Sequence, residues 1–129
     1  MRSAETIINH AITIAIDIHR ELGPGLLESS YQGILRDELQ ATGLTVSSEV
    51  LVPVRYKDRE YSHGFRADLL VDSMVLIEIK STERPSSLHA RQLLTYLRCF
   101  PLRYGLLINM GLERAIDGIL PVTNYRVGE

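Results

Sequence analysis

Apolar residues repeat along this chain with two periods, and the switch between them separates helices from strands. Ile7, Ala11, Ile14, Ala15, Ile18 and Leu22 follow helical spacing. Ile8, Ile12 and Ile16 widen the stripe until it predicts a helix buried over much of its circumference. Ser3 can cap this helix, and Glu5 suits the positive end of its dipole. Gly23-Pro24-Gly25 ends it, because that turn neither continues a helix nor leaves the backbone free. Leu27, Tyr31, Ile34, Leu35 and Leu39 predict a second helix over 27–42, stopped at Gly43. Glu28 flanks that stripe instead of lying opposite it.

The pattern then turns β-like. Val46, Val50, Val52, Val54 and Tyr56 predict a strand over 44–56, with Pro53 marking an edge position or a bulge. After the polar turn Lys57-Asp58-Arg59-Glu60, a second strand is expected from Tyr61 to Val71, broken near Gly64, and a third from Met74 to Lys80. A third helix over 88–100 carries Leu93, Leu94, Leu97 and Phe100 and stops at Pro101. Tyr104 to Ile108 is a continuous apolar run suited to a strand covered on both faces. Ile116 to Val122 is a candidate last strand, with fraying expected from Thr123. This order predicts a mixed α/β fold, a central sheet flanked by helices.

Composition narrows the class. At 129 residues the chain is expected to form one domain over 1–129, large enough for a core without disulfides or a structural metal. Its single cysteine, Cys99, excludes an internal disulfide and an all-protein iron–sulfur site, and suits a reducing cytoplasm. No apolar tract approaches the roughly 18 residues of a membrane span, so a cytoplasmic protein without a membrane partner is expected. A net charge of −2 argues against coating nucleic acid through a bulk positive field. A local basic rim stays open, since Arg66, Lys80, Arg84, Arg91, Arg98 and Arg103 fall in one half of the chain.

That half also holds the candidate chemistry, in the stretch Phe65–Lys80, FRADLLVDSMVLIEIK. Alternation puts Asp68 on the face opposite Phe65, Ala67, Leu69 and Val71, while Glu78 and Lys80 share a face. If Val71 to Met74 is a hairpin turn, Asp68 can lie across from that pair; turn register decides this and stays open at the level of sequence. Phosphodiester hydrolysis needs an activated water, neutralisation of charge on the phosphate and protonation of the leaving oxygen. Asp68, Glu78 and the carbonyl of Ile79 offer oxygen ligands for magnesium, and Lys80 could orient the water or stabilise developing charge. The same side chains also fit a plain cross-strand charge network. Against that, a strand as apolar as MVLIEIK looks central, where charges are costly unless paired or ligated. Gln92 and Tyr96, four apart on the third helix, share one face and serve either the site or a surface polar pair.

Other residues carry less. His10, His19 and His63 read as structural or solvent-facing, and His89, at the start of the third helix, is the histidine that can approach the site. Tyr31 reads as core. No serine sits in a nucleophile elbow, Cys99 has no obvious base, and Gly23-Pro24-Gly25 lacks the lysine of a phosphate-binding loop.

Asp68, then Glu78-Ile79-Lys80 at the end of an apolar strand, then Gln92 and Tyr96 on a helix, together resemble the PD-(D/E)XK nuclease superfamily. Gly25, Glu28 and Tyr31 within GPGLLESSY, with FRADLLV, IEIKS, QLLTYLR and GLLIN, resemble more closely the small family named for its GxxExxY motif. The likeness covers about Leu22 to Gly111, and Ala67 stands where the literal motif has proline. It implies a restriction-endonuclease-like core, α-β-β-β-α-β, behind an extra N-terminal helix. It gives the metal, Mg2+ or Mn2+, to Asp68 and Glu78 with the Ile79 carbonyl and Glu28, the catalytic lysine to Lys80, an assisting role to Gln92, and nearby supporting positions to Tyr31 and Tyr96. The expected activity is metal-dependent hydrolysis of DNA or RNA, with DNA ahead of RNA. The alternative is a nuclease-fold module that binds nucleic acid or a protein without cleaving. A homodimer and a subunit of a larger complex both stay open.

Overall fold

The computed structural model describes residues 2–128, without the side chain of His63. Helices α1 (Ala4–Leu22) and α2 (Glu28–Ala41) precede strands β1 (Val46–Tyr56), β2 (Arg59–Val71) and β3 (Val75–Lys80). Helix α3 (Ser87–Cys99), β4 (Tyr104–Asn109), a 3-10 turn at Ala115–Gly118 and β5 (Ile119–Thr123) follow. This is the expected restriction-endonuclease-like α/β core behind an extra helix. The five strands lie in chain order in one mixed sheet, in which β3 and β4 are parallel and the other neighbours antiparallel.

Ser3 caps α1 by accepting from the Thr6 amide, and Gly23 ends it with φ 71°. The α1 stripe is narrower than its isoleucines suggest. Ile7, Ala11, Ala15 and Ile18 are buried, whereas Leu22 is 46% exposed. An outer-layer helix packs on one side only, so its flanking isoleucines are partly covered.

Two sequence signals take a more specific form. Gly64 does not break β2, which runs unbroken through it. A Cβ at Gly64 would stand 1.8 Å from the Val52 carbonyl oxygen, so glycine is needed there for close backbone approach. The ladder does shift at this point: between the Val52–Phe65 and Val54–Tyr61 pairs, residues 62–64 of β2 stand opposite Pro53 of edge strand β1. The last strand begins at Ile119, because the segment from Ala115 turns as 3-10 helix first.

The β2–β3 turn sets the register of the site. Asp72 and Ser73 both take positive φ, 50° and 56°, and the Met74 amide donates to the Val71 carbonyl. This is the two-residue turn whose twist matches antiparallel strands. Met74 therefore belongs to the turn and not to β3. Leu69, Val71, Val75, Ile77, Ile79, Leu106 and Ile108 pack against α1 and α2, while Leu70, Leu76 and Leu107 pack against α3 with Leu93 and Leu97.

Candidate functional site

Counting from the turn, Val71 pairs with Val75, Leu70 with Leu76 and Leu69 with Ile77. The next pair would be Asp68 with Glu78, and there the regular ladder stops. In its place the Asp68 amide donates to Glu78 Oε1 at 3.0 Å, and the Ile79 amide donates to Asp68 Oδ2 at 2.8 Å. Each carboxylate thus satisfies a backbone donor left over where the two strands part. The register left open by the sequence is the one that brings Asp68, Glu78 and Lys80 together, on the sheet face that also packs α3.

β3 is the middle strand of five, so the pair is poorly solvated. Glu78 is only 6% exposed. Burial is the main cause that pushes its carboxyl up to about 7, and the neighbouring Asp68 charge adds to it; the Asp68 amide and Lys80 act the other way. Asp68 is also raised, chiefly by burial, against the lowering effect of the Ile79 amide. Among the described residues, Glu78 Oε2 and Asp68 Oδ1 accept no hydrogen bond. Two desolvated carboxylates, each with an uncommitted oxygen, fit the hard oxygen-donor chemistry of a divalent cation.

The remaining predicted residues surround this pair unequally. Glu28 is exposed at the start of α2, and its charge acts on Asp68, Glu78 and His89. Among the described residues, no three His, Cys, Asp or Glu side chains are grouped to hold an ion, so Glu28 flanks the pair at longer range. Tyr96 faces it from α3: burial raises its phenol, with the Glu78 and Asp68 charges adding. Gln92, one turn earlier on α3, is partly exposed and makes no hydrogen bond among the described residues. His89 lies near Lys80 and Glu28; burial and the Lys80 charge lower its pKa. His19 is structural, its Nε2 at 2.8 Å from the Leu112 carbonyl, and His10 is exposed.

Tyr31 is core, only 1% exposed, yet its hydroxyl organises the approach to the site. It donates to the Gly23 carbonyl and accepts from the Leu26 amide at 3.2 Å. Within that clamped turn Gly25 takes φ 117°, a conformation L side chains rarely adopt. Ser81, next to Lys80, donates to the Leu26 carbonyl at 2.9 Å and ties the turn to the end of β3. The spacing of Gly25, Glu28 and Tyr31 has a mechanical reading: glycine makes the bend, tyrosine locks it, and the glutamate opens the helix that leaves it.

Three participants escaped the sequence reading. Glu49 falls opposite Asp68, since Ser48 pairs with Leu69 and Val50 with Ala67. It takes φ 52° in mid-strand, and its charge raises Asp68 further. Its signal was its place in the hairpin ladder, visible only once the register is known. Phe65 stacks on Tyr96 with ring centroids 3.4 Å apart. With Ala67 it packs on the α3 side, so the alternation that set these two opposite Asp68 does not hold at this end of β2. Asn109, 4% exposed, accepts from the Thr82 and Gly111 amides and donates to Thr82 Oγ1, holding the loop that follows Lys80. No sequence spacing links any of these pairs.

Among the described residues no helix is long and apolar enough to cross a membrane. The family model of the PD-(D/E)XK nuclease superfamily matches residues 5–119. No curated protein and no solved structure matches the chain.

Proposed function

Because the chain belongs to the PD-(D/E)XK nuclease superfamily, whose enzymes generally use divalent metals, we propose that it is a Mg2+- or Mn2+-dependent nuclease. Within the superfamily we assign it to the GxxExxY family, as a single nuclease-like domain acting in the cytoplasm on nucleic acid, DNA ahead of RNA. The observation that carries this reading is the clasp in which Asp68 and Glu78 each hold the other strand's backbone while keeping one oxygen free.

In this reading Asp68, Glu78 and the Ile79 carbonyl hold the ion, and Glu28 adds negative charge from the start of α2. The bound ion supplies positive charge to the scissile phosphate and acidifies water. Lys80, on the same face as Glu78, aligns the attacking water and offsets negative charge that grows on the phosphate. Gln92 steadies the substrate or that water, and Tyr96 closes the site on the α3 side. A cross-strand charge network explains less, because such a network pairs its charges, whereas Glu78 is held near neutrality and Lys80 makes no ion pair among the described residues.

The test compares wild type, Asp68→Ala and Lys80→Ala, purified identically, on labelled single- and double-stranded DNA and RNA with Mn2+. The expected result is metal-dependent cleavage by wild type and loss of roughly 100-fold or more in each variant, with folding intact by circular dichroism. Equal cleavage by all three preparations would sink the reading.

A further inference from the structure

The charge of this acidic chain is unevenly divided. Helices α1 and α2 carry six acidic side chains and two arginines. From Arg84 to Arg103, a stretch that includes α3, there are four arginines and no acid. At the C-terminal end of α3 the far half of the β1–β2 hairpin and the chain after β5 close a groove of about 680 Å3. Arg55, Arg98 and Arg126 line it together with Phe100. Among the described residues its one carboxylate, Glu60, is engaged by Arg55 at 3.1 Å. Arg98 and Arg126 are exposed and have no acidic partner among the described residues.

The residue beside Arg126 is Tyr125, 82% exposed, more than any other large apolar or aromatic side chain described. The Arg103 guanidinium lies over its ring, 5.6 Å from the centroid. The groove is built on the same elements as the site. Arg98 lies two residues beyond Tyr96 on α3, and Phe65, which stacks on Tyr96, pairs with Val52 next to the groove residue Pro53.

We infer that this groove holds the sugar–phosphate backbone of single-stranded nucleic acid leading away from the cleavage site, with phosphates on Arg98 and Arg126 and a base stacked on Tyr125. The inference extends the nuclease reading and names its substrate as single-stranded. Unpaired guanidiniums complement phosphates, and in a net acidic protein they cannot be explained as part of a general positive field. The aromatic ring selects the strandedness. A base in a single strand has a π-face free to stack, whereas duplex bases are already stacked on their neighbours.

The test is fluorescence anisotropy of labelled 20-nucleotide single strands and the matching duplex, in EDTA so that binding is read without cleavage. Wild type is expected to bind the single strand more tightly than the duplex. The double variant Arg98→Glu/Arg126→Glu is expected to weaken single-strand binding roughly tenfold or more and to reduce the salt slope by about 1.4. Tyr125→Ala is expected to weaken it about tenfold. Arg98→Gln/Arg126→Gln, which removes charge without reversing it, guards against a folding artefact and should move binding the same way. Hydrolysis of bis(p-nitrophenyl) phosphate with Mn2+, a diester too small to reach the groove, should be unchanged in all variants. Unaltered affinity in both double variants, no single-strand binding by wild type, or tighter binding of duplex would each overturn the inference. Diester hydrolysis absent from wild type, with groove-dependent binding as described, would refute the nuclease reading alone and leave the groove assigned.

Discussion

The two faces of the sheet use the same strands and obey opposite rules. Against α1 and α2, Leu69, Val71, Val75, Ile77, Ile79, Leu106 and Ile108 are all buried in an unbroken apolar cluster. One residue out of phase, the other face starts in the same way with Leu70, Leu76 and Leu107 and then changes to Asp68, Glu78 and Lys80. The first face is satisfied by burial alone. The second keeps two carboxylates in a place that disfavours their charge, an arrangement that persists only because neighbouring structure over-determines it. β3 makes the difference concrete: Ile77 and Ile79 anchor the strand on one side, and the rigidity they confer holds Glu78 and Lys80 on the other.

The largest expected effect tests the supporting face. Ile77→Ala, at a position with no exposure, should destabilise the protein by about 3 kcal/mol in urea unfolding while metal-dependent cleavage per folded molecule persists. Cleavage lost without any loss of stability would mean that the two faces are not separable in this way.

The next prediction reverses the sign. The Glu78 carboxyl is raised from 4.5 to about 7, so folding favours its protonated form. The stabilisation from that shift is complete below about pH 4.5 and is lost as pH rises through about 7. Glu78→Gln removes the penalty that remains at pH 8. It should leave the metal-free protein about 2–3 kcal/mol more stable than wild type at pH 8, with a difference that shrinks toward pH 5, and it should abolish cleavage. Mn2+ at pH 8 should raise the melting temperature of wild type and not of the variant. A Glu78→Gln protein less stable than wild type at pH 8 would show that its carboxylate is held by compensating contacts.

The smallest effect concerns the turn that joins the two regions. Tyr31→Phe keeps the buried ring and deletes the hydroxyl that bridges Gly23 and Leu26. A loss of about 1 kcal/mol is expected, together with a several-fold fall in cleavage because the segment bearing Glu28 is no longer locked. A variant as stable and as active as wild type would remove Tyr31 from any part in the site.

Most of the elements were legible along the chain because their signals are local. The helix stripes, the Ser3 cap, the glycine stops and the turn before β3 depend on residues within a few positions of one another. The misreadings arose where one segment's environment is supplied by another. Gly64 marks a ladder irregularity, but the close approach that demands glycine comes from the Val52 carbonyl on the neighbouring strand. Leu22 looked buried by period, but at the end of α1 it is only half covered.

The site divides along the same line. Alternation within β3 sufficed to place Glu78 and Lys80 on one face, and four-residue spacing sufficed to pair Gln92 with Tyr96, because backbone geometry alone sets those directions. The composition likewise determined a chain with no internal disulfide and no bulk positive field. Only the tertiary structure decided that the turn sets Asp68 against Glu78, that Glu49 stands behind Asp68, that Phe65 covers Tyr96, and that Arg98 and Arg126 line one groove. Those four relations join residues from different elements. They depend on strand register and on how the β1–β2 hairpin meets α3, and packing fixes both where no local periodicity can.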